Sequence, residues 1–316
     1  MKRSPDRYHG LLLLNKPQGI TSHDAVDRVR KILVQRGVGH AGTLDPAADG
    51  LLLLLVGRGT KAARFFSDLD KEYLAEIKFG AESTTYDSEG LNPAMPIDTS
   101  KLPDRTSVEN ALQGFLGTIT QQVPAYSAVH VDGERLYEKS RRGEEVVAPE
   151  RTVRIDSIDL LEYDNGRLRI RVSCGKGTYI RSLAHDLGQH LGCGGYLSSL
   201  TRTRTGRFAL AQACTLEQLE AYRAGDSLSS AILPIEEALG FCCLTVGNDF
   251  GPLVRFGRRP KAADIAEVHG EFQSGDHVLL KDAQGSLLAI GTATVASTGM
   301  KAGSRREILT YERVLA

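Results

Sequence analysis

The 316-residue sequence predicts a mixed α+β domain followed by a small β-barrel. Two observations support this fold class. Up to about residue 236, segments with the apolar period of strands alternate irregularly with segments that have helical spacing. From residue 241 onward, the sequence contains short strand-like runs separated by turn signals. A chain of this length is expected to form two domains. We therefore divide it into residues 1–238 and residues 239–316.

The first elements are a strand and a helix. The aliphatic run at residues 11–14 predicts a buried strand, and Thr21 or Ser22 can cap the helix that follows. Gly37 is expected to end this helix, because glycine readily adopts the conformation found at helix C-termini.

A glycine-rich loop then leads to Asp45 and Pro46, and residues 51–56 predict a second buried strand. Residues 73–79 and 168–174 alternate between apolar and polar side chains, as strands with one buried face do. Thr178 is expected to cap the next helix, whose apolar side chains fall at helical spacing.

The C-terminal part contains the predicted barrel strands at residues 277–281, 287–290 and 308–312. A charged segment at residues 124–151, with Tyr126 and Tyr137 interspersed, reads as a long insertion in the first domain. Long loops in compact domains are often functional.

The net charge is zero, with 39 basic and 39 acidic residues, but the charges are unevenly distributed. Residues 1–40 carry a net charge of +5 and residues 64–110 carry −5, and several cationic clusters follow. Such clusters suit a phosphate backbone, although each could equally be a solvated surface. The apolar runs are too short to cross a membrane, and no secretory signal is evident, so we expect a cytoplasmic protein.

Cofactor motifs are weak. The glycines of residues 37–42 match G-x-G-x-x-G, but a helix is predicted before them and a strand after them, which is the reverse of a dinucleotide-binding site. The five cysteines lack a C-x-x-C spacing, so no zinc site is expected.

Several longer motifs together resemble the bacterial tRNA pseudouridine synthase B family. These motifs lie at residues 14–19, 39–50, 57–61, 70–73, 124–128 and 176–181. Residues 241–316 more loosely resemble the small β-barrel RNA-binding (PUA) domain that ends many members. The resemblance implies a pseudouridine synthase catalytic domain, with residues 124–151 gripping the RNA.

The family's roles can be carried over residue by residue. The resemblance implies that Asp45 is the catalytic aspartate, that Tyr73 stacks against the target uracil and that Arg181 pairs with Asp45. It also implies that His40 helps to hold the RNA loop open and that Leu200 lies near the base. We further expect RNA binding by the following residues: Lys16, Lys61, Tyr179, Arg202, Arg141 and Arg142.

The implied activity is conversion of the T-loop uridine of tRNA to pseudouridine by a monomer that contacts the T-stem and T-loop. This isomerisation is redox-neutral, so no cofactor or metal is expected. The target base must be flipped into a pocket, where aromatic and apolar side chains replace its stacking partners. The sequence leaves open whether the aspartate acts covalently or as a base. It also leaves open an RNA-folding role and a different RNA site.

Overall fold

The computed structural model describes residues 6–92, 101–127, 130–131, 134–135, 142, 148–300 and 304–315. Arg141 therefore lies outside the described residues. Over this part of the chain the helices are α1 (Ser22–Leu33), α2 (Ala63–Ser67), α3 (Arg105–Gln113), α4 (Ile180–His190), α5 (Leu216–Ala224), α6 (Ile235–Leu239) and α7 (Gly251–Val254). None of these described helices has the length and apolar character needed to span a membrane.

The strands alternate with these helices irregularly, as expected for mixed α and β content. The first group of strands is β1 (Gly10–Lys16), β2 (Val38–Ala41), β3 (Asp49–Val56), β4 (Lys71–Phe79), β5 (Gly117–Gln122), β6 (His130–Val131), β7 (Glu134–Arg135), β8 (Glu150–Asp164), β9 (Arg167–Cys174), β10 (Gly195–Thr205), β11 (Phe208–Ala209) and β12 (Ile232–Leu233). The C-terminal strands are β13 (Cys242–Val246), β14 (Ile265–His269), β15 (His277–Lys281), β16 (Leu287–Ala293) and β17 (Leu309–Val314).

One large sheet organises residues up to Leu233, with the strand order β12–β1–β3–β10–β4–β9–β8–β5 in the described chain. Strand β2 also pairs with β3, and β11 pairs with β10. The pairing of β3 with β10 is parallel, whereas the other neighbours along this order are antiparallel. The parallel pair brings the start of β3 beside the middle of β10, and this junction becomes one wall of the site described below.

The centre of the sheet is buried on both faces. Along β3, Leu52 and Leu54 belong to one apolar cluster, whereas Leu51, Leu53 and Leu55 belong to another. Successive strand residues point to opposite faces, which explains why β3 is an unbroken aliphatic run and not an alternating one. The second cluster also contains Leu279, Ile290 and Leu315, so the C-terminal strands pack against this face of the sheet.

The C-terminal strands form an open sheet in the order β14–β13–β15–β16–β17. The predicted strands are present, but the expected barrel is not closed: over the described residues β14 and β17 are the unpaired edges of this sheet. Closure would require backbone pairing between β14 and β17, and among the described strands β14 pairs only with β13 and β17 only with β16. Most side chains of β14 are exposed.

Two local predictions around helix α1 were wrong. Helix α1 begins after Thr21, as predicted, but ends at Leu33, and Val34 takes the left-handed conformation expected of Gly37. The predicted loop after it contains β2, whose residues pair with β3 from Val38 to Ala41. Pairing with a neighbouring strand thus overrides the loop character of this glycine-rich segment.

Candidate active site

A cavity of about 810 Å³ lies where the β2–β3 loop, β4, β10 and the start of α4 meet. Residues from distant parts of the sequence line this cavity, including Asp45, Tyr73, Arg181, Leu200 and Arg202. The structure therefore brings the predicted catalytic residues together in one pocket.

Asp45 lies in the loop between β2 and β3, and hydrogen bonds from helix α1 and the turn before it hold this loop. The Ser22 hydroxyl donates to the Leu44 carbonyl at 2.8 Å and accepts from the Leu44 amide at 2.8 Å. On the other side of Asp45, the Gly19 amide donates to the Pro46 carbonyl at 2.8 Å. The backbone on both sides of Asp45 is thus fixed before any substrate binds.

Arg202 holds the same loop from the opposite side. Its side chain is buried, and it donates to the carbonyls of Leu51 at 2.7 Å, Thr43 at 3.3 Å and Gly42 at 3.1 Å. Arg202 was expected to bind RNA, but its guanidinium is engaged within the protein. The structure therefore favours a role for Arg202 in positioning the loop that carries Asp45.

Arg181 lies between two carboxylates. Its Nε is 3.0 Å from Oδ2 of Asp45, and its Nη1 is 3.5 Å from Oδ2 of Asp87. The guanidinium also donates to the carbonyls of Thr85 at 3.2 Å and Tyr126 at 3.1 Å. Side-chain exposure is 6% for Arg181 and 9% for Asp87 but 40% for Asp45. The buried Arg181–Asp87 pair therefore supports the Asp45 carboxylate, which remains open to the cavity.

Asp87 was not predicted from the sequence. Its Oδ1 accepts hydrogen bonds from the Thr85 hydroxyl at 2.5 Å and from the Glu89 amide at 3.0 Å, which fix the carboxylate in a tight turn. The local sequence offers only an acidic residue in a polar segment. Its contact with Arg181 joins residues far apart in the chain, so a periodicity argument cannot find it.

Aromatic and apolar side chains complete the cavity wall. Tyr73 on β4 is buried, and burial raises the pKa of its phenol, so the ring is neutral at ordinary pH. Leu200 on β10 and Ile180 at the start of α4 add apolar surface. Tyr179 also lines the cavity, and burial likewise raises the pKa of its phenol. Such a wall can receive a planar base that has left its stack.

Two other residues predicted to bind RNA, His40 and Lys16, lie outside the cavity lining. His40 on β2 is half-buried, and the pKa of its imidazole is lowered by burial and then by the charge of Arg202. Lys16 is fully buried, and its Nζ donates to the carbonyls of Pro17 at 2.9 Å and Ile20 at 2.8 Å. An RNA contact by Lys16 is therefore contradicted by its burial.

Lys61 and Arg142 are both exposed. Lys61 donates from Nζ to the carbonyl of Val314 at 3.0 Å and so joins the catalytic region to β17. Arg142 donates from Nη2 to Oε2 of Glu134 at 2.6 Å. Neither side chain contributes to the cavity lining.

Chemically, the pocket offers one partly exposed carboxylate held by a guanidinium and facing an apolar, aromatic wall. The ion pair between Arg181 and Asp45, 3.0 Å long, restricts the orientation of this carboxylate. Such a group can attack an electrophilic carbon or remove a proton from a bound base or sugar. Within the described residues no cluster of three or more His, Cys, Asp or Glu side chains could hold a metal ion.

Comparison with known protein families gives two matches. Residues 30–180 match the N-terminal domain of the TruB family pseudouridylate synthases. Residues 181–240 match the tRNA pseudouridylate synthase B C-terminal domain. Together these matches include the cavity residues from Asp45 to Arg202.

Curated relatives carry the same name. The chain is 46% identical over 234 residues to a tRNA pseudouridine synthase B of Dehalococcoides mccartyi (strain CBDB1), which covers 73% of this chain and 76% of the relative. It is 41% identical over 287 residues to a tRNA pseudouridine synthase B of Xanthomonas oryzae pv. oryzae (strain MAFF 311018), covering 88% of this chain and 92% of the relative.

Solved structures show the same fold. A chain of an H/ACA RNP bound to a substrate RNA containing 2'-deoxyuridine aligns with a TM-score of 0.72 and 26% identity, covering 98% of this chain and 85% of that chain. A chain of a Cbf5-Nop10-Gar1 complex aligns with a TM-score of 0.72 and 25% identity, covering 100% and 92%. With the family matches and the assembled cavity, these findings show that the chain belongs to the TruB family of pseudouridylate synthases and is an RNA pseudouridine synthase.

Proposed function

We propose that this protein converts the T-loop uridine of tRNA, at the position conventionally numbered 55, to pseudouridine. The observation that carries the proposal is the 3.0 Å contact between Arg181 and Asp45 at the edge of a cavity walled by Tyr73 and Leu200. The choice of tRNA is supported by the relatives, which are named tRNA pseudouridine synthase B.

In the proposed reaction, the uridine flips out of the RNA stack and its base enters the cavity beside Tyr73. The bond between the ribose C1' and N1 breaks, the base rotates, and a bond forms between C1' and C5. The proton on C5 leaves and N1 gains a proton, so the product is an isomer of the substrate. Because no electrons are gained or lost overall, the proposal includes no cofactor.

Asp45 is proposed to act on the sugar or the base, with Arg181 fixing the orientation of its carboxylate. Covalent attack and proton abstraction both fit a carboxylate that is partly exposed to the cavity. Tyr73 is proposed to stack on the uracil, and Leu200 to contact it. Tyr179, from the same wall, is proposed to contact the RNA beside the flipped base.

The parts of the chain outside the cavity are proposed to bind the T-stem and T-loop. His40 would help to hold the loop open, while Lys61 and the cations Arg141 and Arg142 of the 124–151 insertion would approach the backbone. Residues 1–238 would form the catalytic domain and residues 239–316 a PUA-like RNA-binding domain. The separate apolar cluster formed by the C-terminal strands supports this division. We further propose a cytoplasmic monomer.

Replacing Asp45 with asparagine tests the catalytic proposal. The variant Asp45→Asn keeps the size and most hydrogen-bonding capacity of the side chain but removes its charge. It should abolish tritium release from tRNA carrying uridine labelled at C5, while tRNA affinity stays close to that of the unaltered protein. Asp159→Asn is the matched control, because Asp159 is half-exposed and its contact with Arg171 is 3.8 Å long. Retained turnover by Asp45→Asn would refute the proposed role.

The RNA position requires a separate measurement. Pseudouridine sites are mapped in a strain that lacks the gene and in the same strain complemented with it. We expect pseudouridine at the T-loop site to be lost in the deletion strain and recovered in the complemented strain. Recovery only at another RNA site would show that this site, and not tRNA position 55, is the target.

A further inference from the structure

One face of helix α4 contacts the segment that carries Asp87 over three successive turns. Arg181, His185 and Gln189 are four residues apart and therefore lie on the same face of the helix. We call residues 82–87 the acidic turn. Arg181 contacts its C-terminal end, as described above, and Gln189 Nε2 donates to Glu82 Oε1 at its N-terminal end at 2.6 Å.

Between these two contacts, the ring of His185 stacks on the ring of Tyr86. The ring centroids are 4.0 Å apart and the planes are inclined by only 12°. Tyr86 directly precedes Asp87 in the chain, and His185 lies one helical turn after Arg181. The stack therefore joins the two elements immediately beside the Arg181–Asp87 ion pair.

The backbone of Tyr86 requires such support. Its φ angle is +63°, in the left-handed region that non-glycine residues seldom adopt. The Tyr86 amide donates to the Ser83 carbonyl at 3.2 Å, and its carbonyl accepts from the Leu197 amide at 3.0 Å. These bonds and the ring stack hold a conformation that the residue alone would disfavour.

His185 contributes through its ring face. Its Nδ1 is buried and has no hydrogen-bond partner among the described residues. A buried polar atom without a partner is unfavourable, so the position is not explained by hydrogen bonding through Nδ1. The close, nearly parallel contact with Tyr86 is the packing interaction recorded for this ring.

We propose that Tyr86 and His185 are positioning residues for the isomerisation. Their stack holds the acidic turn on α4, so that Asp87 and the Thr85 carbonyl keep the Arg181 guanidinium directed at Asp45. This inference rests on the proposed function, because it assigns Tyr86 and His185 an effect on Asp45 through Asp87 and Arg181.

The test is a double-mutant cycle between Tyr86 and Asp87. The single-turnover rate of tritium release from tRNA labelled at uridine C5 and the dissociation constant for tRNA are measured for each variant. Tyr86→Leu should lower the rate about tenfold, because small displacements of catalytic groups are costly. Its affinity for tRNA should change little, and Tyr86→Phe, which keeps the ring, should restore most of the rate.

The cycle separates positioning from a general loss of stability. If Tyr86 acts through Asp87, Tyr86→Leu should have little further effect on the residual rate of Asp87→Asn. Equal effects of Tyr86→Leu in the two backgrounds would overturn the proposal, as would an unchanged rate for folded Tyr86→Leu. Should Tyr86→Leu fail to fold, His185→Leu takes its place in the cycle with the same expected results.

The chain offers a matched control on the same helix. Phe115 contacts His190 edge-on, with ring centroids 6.3 Å apart and planes inclined by 82°. Phe115→Leu removes a histidine–aromatic contact of α4 away from the acidic turn and should leave the rate unchanged. Wild type and Asp45→Asn are measured in parallel. A wild-type protein that releases no tritium would refute the proposed function itself, and a fully active Asp45→Asn would refute the proposed role of Asp45. An inactive Asp45→Asn beside an unaffected Tyr86→Leu would refute only the positioning role.

Discussion

At the scale of single residues, two buried cations hold the backbone near Asp45. Arg202 holds the loop before Asp45 through three backbone carbonyls, and Lys16 lies fully buried beneath the turn at Pro17. A buried cation is costly unless polar groups compensate it. Here backbone carbonyls provide that compensation, and the two side chains gain a structural role in place of RNA contact.

Lys16 should make the stability of the protein depend on pH in the alkaline range. Burial lowers its pKa from 10.5 to about 8, although the charges of Asp49 and Asp45 act in the opposite direction. Below pH 8 the lysine is protonated in both folded and unfolded chains, and its burial cost is present in full. Between pH 8 and 10.5 the folded chain releases the proton first, so this cost is progressively relieved as pH rises.

Wild type should therefore gain stability relative to Lys16→Met between pH 8 and 10.5. The gain should reach about 3 kcal/mol at most. Urea unfolding of both proteins at several pH values measures it. Lys31→Met, which removes an exposed lysine of α1, is the control for the loss of a positive charge. A stability difference that stays constant or falls over this range would contradict the prediction.

At the scale of elements, tertiary contacts decided where helices begin and end. Helix α1 ends before Gly37, and Gln35, just after its end, is held by Tyr8, whose amide donates to Gln35 Oε1 at 2.9 Å. Thr178 does not cap α4, since its hydroxyl donates to the Gly175 carbonyl at 3.0 Å. Gln121 of β5 instead accepts from the Tyr179 amide, which precedes the helix, at 3.0 Å.

The end of α1 also provides a stability prediction. Val34 has a φ angle of +54° and is 71% exposed, so it combines an unfavourable backbone conformation with little packing. Val34→Gly should stabilise the protein by about 1 kcal/mol, because glycine adopts this conformation without steric conflict. Thermal or urea unfolding measures the change. Val34→Ala, which removes the branched side chain but keeps Cβ, should recover only a small part of it, and destabilisation by glycine would contradict this explanation.

At the scale of the whole molecule, the C-terminal strands are joined to the catalytic region by both apolar and polar contacts. Phe65 of α2 packs edge-on against Phe241 and His277, with ring centroids 5.7 and 5.1 Å apart. Arg64 pairs with Glu312 of β17, and Lys281 of β15 lies 3.4 Å from Glu236 of α6. These contacts hold the C-terminal sheet against the catalytic region.

The uneven charge distribution predicts that tRNA binding depends on salt even though the net charge is zero. Affinity should fall at least about tenfold between about 50 and 200 mM monovalent salt, because bound cations displace counterions from the phosphates. Arg142→Gln should reduce the slope of log affinity against log salt by about one if Arg142 contacts a phosphate. Filter binding measures both slopes, with Asp45→Asn and the double variant Asp45→Asn/Arg142→Gln, because Asp45→Asn is expected not to turn over. A slope near zero for Asp45→Asn would contradict this interpretation.

The sequence by itself determined most strands and helices and, through its motifs, the residues that meet in the cavity. Strand and helix periodicities are properties of the local sequence. Runs such as residues 51–56 and 73–79 therefore predict their strands directly. The motifs at residues 70–73 and 176–181 also pointed to Tyr73 and Arg181, which line the same cavity as Asp45.

Only the tertiary structure decided the surroundings of those residues. It placed Asp87 against Arg181, stacked Tyr86 on His185, buried Lys16 and Arg202, and left the C-terminal sheet open. Each of these features depends on contacts between distant segments, on backbone carbonyls that compensate a buried charge, or on an edge strand whose side chains remain exposed. None of these leaves a periodic signal in the local sequence, because each depends on which surfaces meet after folding.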